Sequence, residues 1–358
     1  MSMSKNIVEL SKRFIEIKSN PENTKELEAI LELALEELSE FKIKRFDSEG
    51  VKSVLVYNSS EIPERFKIIL NAHLDVIPGK DFQYLPIIEG DRLYGVGSMD
   101  MKANAVCLIA AFREVANLVD YPLAIQLVTD EEIGGFNGTK YQISEGVRAD
   151  FVIAGEPTNF NIANKARGIL LIKISCKGVT AHGAYPWRGE NALWKINDFL
   201  NRLKLQYPIP SSEGWVTTVN LAKIGTSNYS FNKIPDDGEV LLDVRYIPED
   251  KDKIIDDIKG LLDEDFEFEV VENEAALQVD SDNYYLQSLK KVVEEKLGKE
   301  VRVYGAQGAS DVRHYAAVGC DGIEFGPIGD GIGTDKEWVS ISSLEDYVKI
   351  IKAFLLGL

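Results

Sequence analysis

The sequence predicts an α/β protein with a second, ferredoxin-like α+β unit inserted into it. Three observations carry this. At 358 residues the chain exceeds one ordinary core, which points to two domains. Strand-like apolar runs alternate with helical periodicity over residues 41–154 and again after residue 281, the pattern of a mainly parallel sheet flanked by helices. Between them, residues 166–276 follow the order β-α-β-β-α-β.

Helices are predicted over residues 6–18 and from an N-cap at Thr24 to residue 41, separated by the loop signal Ser19-Asn20-Pro21. Strands follow over 41–46, 53–57 and 66–72, a helix over 100–118, and strands over 123–128 and 151–154, with a short helix after Asn137. The inserted unit reads as strand 169–175, helix 191–205, strands 215–224 and 240–246, helix 252–262 and strand 266–271. The outer pattern then resumes with a helix to Leu297, strand 301–304, helix 311–317, strand 322–325 and a closing helix 343–356. The expected domains are residues 1–165 with 277–358, and 166–276.

The net charge of −18 argues against nucleic acid or an anionic membrane as partner. That acidity serves either solubility or a bound cation. No apolar run approaches the ~20 residues that span a bilayer. The first residues, Met-Ser-Met-Ser-Lys-Asn, hold no apolar targeting stretch, so a cytoplasmic protein is expected. Cys107, Cys176 and Cys320 form no CxxC pair and read as buried thiols of a reducing compartment.

Four segments place acids and one histidine at the ends of predicted strands. In His73-Leu74-Asp75 the two polar residues share a strand face, so a carboxylate stands behind an imidazole. Gly97-Ser98-Met99-Asp100-Met101-Lys102 is a turn delivering Asp100 to a helix start, where an N-cap is the plain structural alternative. Thr129-Asp130-Glu131-Glu132-Ile133-Gly134-Gly135 gathers three adjacent acids, which repel unless a cation compensates. Gly155-Glu156-Pro157-Thr158 sets one acid after a strand. Ligands of open α/β sheets bind at the carboxyl ends of strands, and one His with carboxylates suits zinc.

At these motifs the chain resembles the cocatalytic-zinc family of acetylornithine deacetylase, succinyl-diaminopimelate desuccinylase, aminoacylase and glutamate carboxypeptidase, over nearly its whole length. The resemblance implies a zinc-peptidase-like catalytic domain and a dimerisation and lid domain, hence a homodimer. It implies His73 and Glu156 as ligands of one metal, Asp100 as bridge and Glu132 on the second metal. Asp75 would orient His73, and Glu131 would be the general base. It further implies that His182, in Ala181-His182-Gly183, stabilises the oxyanion, and that Asn191 and Arg313 bind substrate. The cofactor expected is zinc, one ion or two, with cobalt or manganese as substitutes. The substrate expected is an N-acyl amino acid or small peptide with a free carboxylate. His314 has no counterpart in the pattern and reads as structural.

One departure stands out. The family's last histidine, four residues before Glu337, falls on Gly333, leaving Asp330 or Asp335 to replace it or the second site to weaken. Milder departures are Val96, Ala103 and Asn104, where Arg, Gly and Gly are usual. An alternative function follows from Gly333: a catalytically impaired member that binds metal or a carboxylate ligand. Retention of Glu131 argues against it, because a binder needs no general base.

Overall fold

The structure is a computed structural model that describes residues 3–358. The reading of the extreme N-terminus falls partly on Met1 and Ser2, outside the described residues. The chain divides into two compact units. One comprises the described residues up to Lys165 with Gln278–Ala306 and Ser310–Leu358; the other comprises Ala166–Leu277 with Gln307–Ala309.

The first unit begins with α1 (Met3–Glu16) and α2 (Thr24–Glu36). Asn23, not Thr24, occupies the N-cap position of α2, and the helix stops at Glu36, short of residue 41. Then come β1 (Lys42–Ser48), β2 (Val51–Tyr57), β3 (Phe66–His73), the short β4 (Ile87–Glu89) and β5 (Arg92–Tyr94), and α3 (Lys102–Val115). After α3 follow β6 (Leu123–Val128), α4 (Thr139–Ser144), β7 (Ala149–Ala154) and β8 (Ile162–Ala166).

The second unit holds β9 (Gly168–Lys177), α5 (Ala192–Gln206), β10 (Thr218–Gly225), β11 (Asp237–Tyr246), α6 (Ile254–Lys259) and β12 (Phe266–Glu274). Its sheet order is β10-β11-β9-β12, with every neighbour antiparallel, the ferredoxin-like arrangement. β9 alternates buried and half-buried residues, so Leu170, Ile172 and Ile174 face the core. Ile196, Phe199 and Leu203 of α5 meet them from one helix face.

The chain then adds β13 (Leu277–Gln278), α7 (Tyr284–Leu297), β14 (Val303–Ala306), α8 (Val312–Ala316), β15 (Asp321–Glu324), β16 (Gly329–Asp330), β17 (Trp338–Ser340) and α9 (Ile341–Leu356). Gly298 closes α7 in the left-handed region at φ 65°, a conformation that costs other residues a steric penalty.

The large sheet runs β1-β2-β6-β3-β7-β15-β8-β13, with β14 on β8. Its centre, β6-β3-β7-β15, is parallel. β1 and β2 join antiparallel on one side, and β8 meets β15 antiparallel on the other. The expectation of a mainly parallel sheet is therefore corrected at the flanks. The central strands are buried on both faces, as a covered parallel sheet requires. A smaller sheet, β16-β17-β5-β4, carries the segment before Asp100.

Candidate metal centre

Strand register delivers the site. Parallel β3 and β7 pair Asn71 with Ala154, so His73 and Glu156, each two residues further on, reach the same level. His73 is itself opposite Val128, which sets the acids of 129–132 just beyond it. Asp100 arrives from the turn before α3, and that turn is held from far away. Glu337 accepts backbone N–H bonds from Gly97 (3.1 Å), Met99 (2.8 Å) and Asp100 (3.1 Å). The helix consequently starts at Lys102, and Asp100 is not its N-cap.

His73, Asp100 and Glu156 converge, each offering an atom within 4.8 Å of the others. His73 Nδ1 lies 3.0 Å from the backbone oxygen of Asp75 and 3.6 Å from its Oδ1. A carbonyl oxygen can only accept, so the proton belongs on Nδ1. Nε2 then faces Asp100 Oδ1 at 3.1 Å and Glu156 Oε1 at 4.0 Å. A lone pair against two carboxylates repels unless a cation or a second proton lies between them. Burial alone would lower the imidazole pKa, but Asp100, Asp75 and Glu156 outweigh it and hold it well above the ordinary value. Glu156 Oε1 and Asp75 Oδ1 are buried without a hydrogen-bond partner. Burial, then the charge of Asp100, pushes Glu156 well above the usual carboxylate range against the opposing pull of His73. The orphaned Glu156 oxygen and the Asp100 carboxylate around His73 Nε2 are a donor set that fits a divalent cation.

Asp75 is fully buried, and its Oδ2 takes the backbone N–H of Glu132 (2.9 Å). It thus fixes both His73 and the acidic turn. Glu131 is pushed well above its ordinary value, by burial first, with Asp311, Asp100 and Asp75 adding and His73 opposing. Glu132 stands outside the three-residue cluster: its Oε1 accepts the Ile77 N–H at 3.2 Å, which turns the carboxylate aside. Burial and the neighbouring acids, offset in part by His73, raise it to about 7.

Arg313 differs from expectation. It is buried, and its guanidinium donates to the backbone oxygens of Ser310 (2.9 Å) and Gly134 (2.6 Å), which binds the 308–313 segment to the acidic turn. His314 is buried beside it and donates from Nε2 to the same Gly134 oxygen at 2.9 Å. In the second unit, Asn191 is the N-cap of α5, its Oδ1 accepting from Leu193 and Trp194. His182 lies in the same unit, exposed, with Nδ1 accepting the Ala184 N–H at 3.1 Å. Gly333 sits at φ 71°. Asp330 caps its own loop at Gly331 and Asp335 pairs with Lys80, so both acids of that loop are engaged away from His73.

Sequence reading missed Glu337 as a clamp, having used it only as a landmark for Gly333. It also missed Glu324, buried at the end of β15 in register with Ala154, accepting from Ser310 Oγ at 2.7 Å. Burial raises Glu324 to about 7, with Asp100 adding. The signal available was its position at another strand end.

A histidine–carboxylate cluster at the strand ends of an α/β sheet defines a candidate metal-binding centre. Residues 69–357 match Peptidase family M20/M25/M40, and the chain belongs to that family. Among its relatives, the succinyl-diaminopimelate desuccinylase of Sulfurimonas denitrificans is 26% identical, over 96% of this chain and 97% of that protein. A probable carboxypeptidase of Paracoccidioides brasiliensis is 32% identical over 53% of this chain, and the match spans 48%, about half, of that protein. The crystal structure of an M20 family metallo-carboxypeptidase from Sulfolobus solfataricus superposes with a TM-score of 0.74, covering 99% of each chain at 16% identity. That likeness extends the shared fold across both units.

Proposed function

We propose that the protein is a zinc-dependent hydrolase that cleaves the amide bond of an N-acyl amino acid or small peptide bearing a free carboxylate. The favoured substrates are those of biosynthetic deacylases such as succinyl-diaminopimelate desuccinylase or acetylornithine deacetylase. The observation that carries this is the meeting of His73 Nε2 with the carboxylates of Asp100 and Glu156. A zinc ion there would supply Lewis acidity toward the scissile carbonyl and acidify water. His73, Asp100 and Glu156 would hold it, with Glu132 toward a second ion. Glu131, made more basic by burial first and then by its acidic neighbours, takes the proton from the attacking water and returns it to the departing nitrogen. His182 would donate to the oxyanion as its charge develops.

The domain assignment belongs to the same proposal: residues 1–165 and 277–358 bind metal, and 166–276 dimerise and close over the site. Supporting a homodimer, β10 is an edge strand with Leu221 and Ile224 exposed, the kind of edge that pairs with a second chain. Supporting a cytoplasmic setting, Cys107, Cys176 and Cys320 are buried and free.

The test is a metal count by mass spectrometry beside a panel of N-acyl amino acids and dipeptides, with Glu131→Gln as the probe. The variant should keep its metal and lose at least ~10²–10⁴ in turnover. Near-normal kcat would reject the role of Glu131. A metal-loaded protein that turns over nothing in the panel would reject the substrate class.

A further inference from the structure

A cavity of about 450 Å³ opens on the first unit, away from the His73 cluster, between the β4–β5 hairpin and the 335–337 segment. Three of its wall residues are large apolar side chains left in solvent: Phe82 is 51% exposed, Leu85 66% and Ile87 54%. Contiguous exposure of that kind marks a binding surface more often than chance scatter does. Its cations are Arg92 and Lys336, and among the described residues neither makes an ion pair.

Arg92 is also pre-set. Its guanidinium lies over the Trp338 ring at 4.1 Å from the centroid, and Nη1 donates to the Tyr94 hydroxyl at 3.3 Å. Stacking fixes the plane of the guanidinium and leaves its remaining N–H groups for a planar acceptor. Of the three acids in the wall, Asp335 is taken by Lys80, Glu337 turns its carboxylate to the backbone of the Asp100 turn, and Glu89 stands opposite Arg92 on the hairpin. Such a site, apolar at one end with an oriented cation at the other, matches a ligand with an apolar body and one carboxylate.

We propose that this cavity is a second binding site, for a small carboxylate with an apolar body, in which Arg92 receives the carboxylate and Phe82, Leu85 and Ile87 receive the body. The site is independent of the metal centre and of the reaction assigned to it. It nonetheless borders that centre through Glu337, whose backbone oxygen takes the Gly95 N–H at 3.2 Å while its carboxylate holds the Asp100 turn.

The test is calorimetric titration of the full chain with 3-phenylpropionate and with the uncharged 3-phenylpropanamide. Each is run on the parent, on Arg92→Gln, on Leu85→Ser and on His73→Ala. The acid should bind saturably, about tenfold more tightly than the amide, and Arg92→Gln should remove about that tenfold difference. Leu85→Ser, at an exposed position that leaves the fold alone, should weaken acid and amide alike, and His73→Ala should bind both as the parent does. The proposal is overturned by any of three results: no saturable binding up to about 10 mM, equal binding of acid and amide by the parent, or loss of binding in His73→Ala. If Arg92→Gln fails a melting check, the acid–amide comparison and Leu85→Ser decide.

Discussion

Replacing Glu337 tests how the Asp100 turn is held. Its carboxylate takes three backbone N–H groups, with Met99 and Asp100 on Oε1 and Gly97 on Oε2. Glu337→Ala leaves all three donors without their acceptor in a buried setting. Each stranded donor costs ~1–3 kcal/mol, so a loss of about 3–9 kcal/mol from the first unit is expected for the three. Glu337→Gln retains an oxygen for Met99 and Asp100 but sets an amide N–H against Gly97 N–H, and should cost about 1.5–3 kcal/mol. Because burial raises the Glu337 carboxyl to about 7, the comparison belongs at pH 8, where it is ionised. Both variants loosen Asp100, and losing such a support typically weakens metal binding ~10–100-fold. Urea unfolding followed by tryptophan fluorescence reads the stability, provided the slope is unchanged, and a zinc titration reads the site. If both variants unfold within about 0.5 kcal/mol of the parent with undiminished zinc affinity, the clamp is not what holds Asp100.

Three further outcomes are expected. His73→Ala should remove most of the bound metal, and unchanged stoichiometry would contradict its place as a ligand. Metal-free protein should melt at higher temperature at pH 5.5 than at pH 7.5. Glu337 and Glu324 move from 4.5, and Asp130 from 3.8, up to about 7, in each case mainly by burial. The folded chain therefore holds protons the unfolded chain releases, so stability falls as pH rises through that window and levels above 7, by up to ~3 kcal/mol per group. A rise across the same window would refute this. Gly333→His should lower the melting temperature, since φ 71° costs a side chain ~1–3 kcal/mol and Ile77 Cδ1 lies 3.4 Å from the added Cβ. It should also tighten the second metal; a variant that gains no affinity would end the argument that Gly333 leaves a ligand position vacant.

What was legible in the sequence is what local pattern encodes. The apolar runs of β3, β6 and β7 announce buried strands, and His73 and Glu156 follow from where those strands end. An apolar run carries no direction, however, so β1 and β2 were placed in the sheet without their antiparallel sense, and β8 was not anticipated at all. Asp100 was readable as a residue of interest, but the delay of α3 to Lys102 depends on a carboxylate 237 positions away. Arg313 shows the same limit from the other side: a guanidinium near an active-site motif invites a substrate, and only tertiary structure reveals Ser310 and Gly134 as its partners. The capping role of Asn191 was legible too, because an asparagine ahead of an amphipathic run is a helix-start signal.

The span between Asp100 and Glu337 also sets an order of assembly during synthesis. His73, Asp100 and Glu156 all leave the ribosome in the first half of the chain, yet three backbone N–H groups of the turn bearing Asp100 lack their acceptor until Glu337 emerges. By then the whole of the second unit has already been made. A nascent chain halted near residue 330 would carry every residue of the His73 cluster and still lack the tie that fixes one of them. On the proposed function, a chain interrupted there would hold metal less tightly than the finished protein.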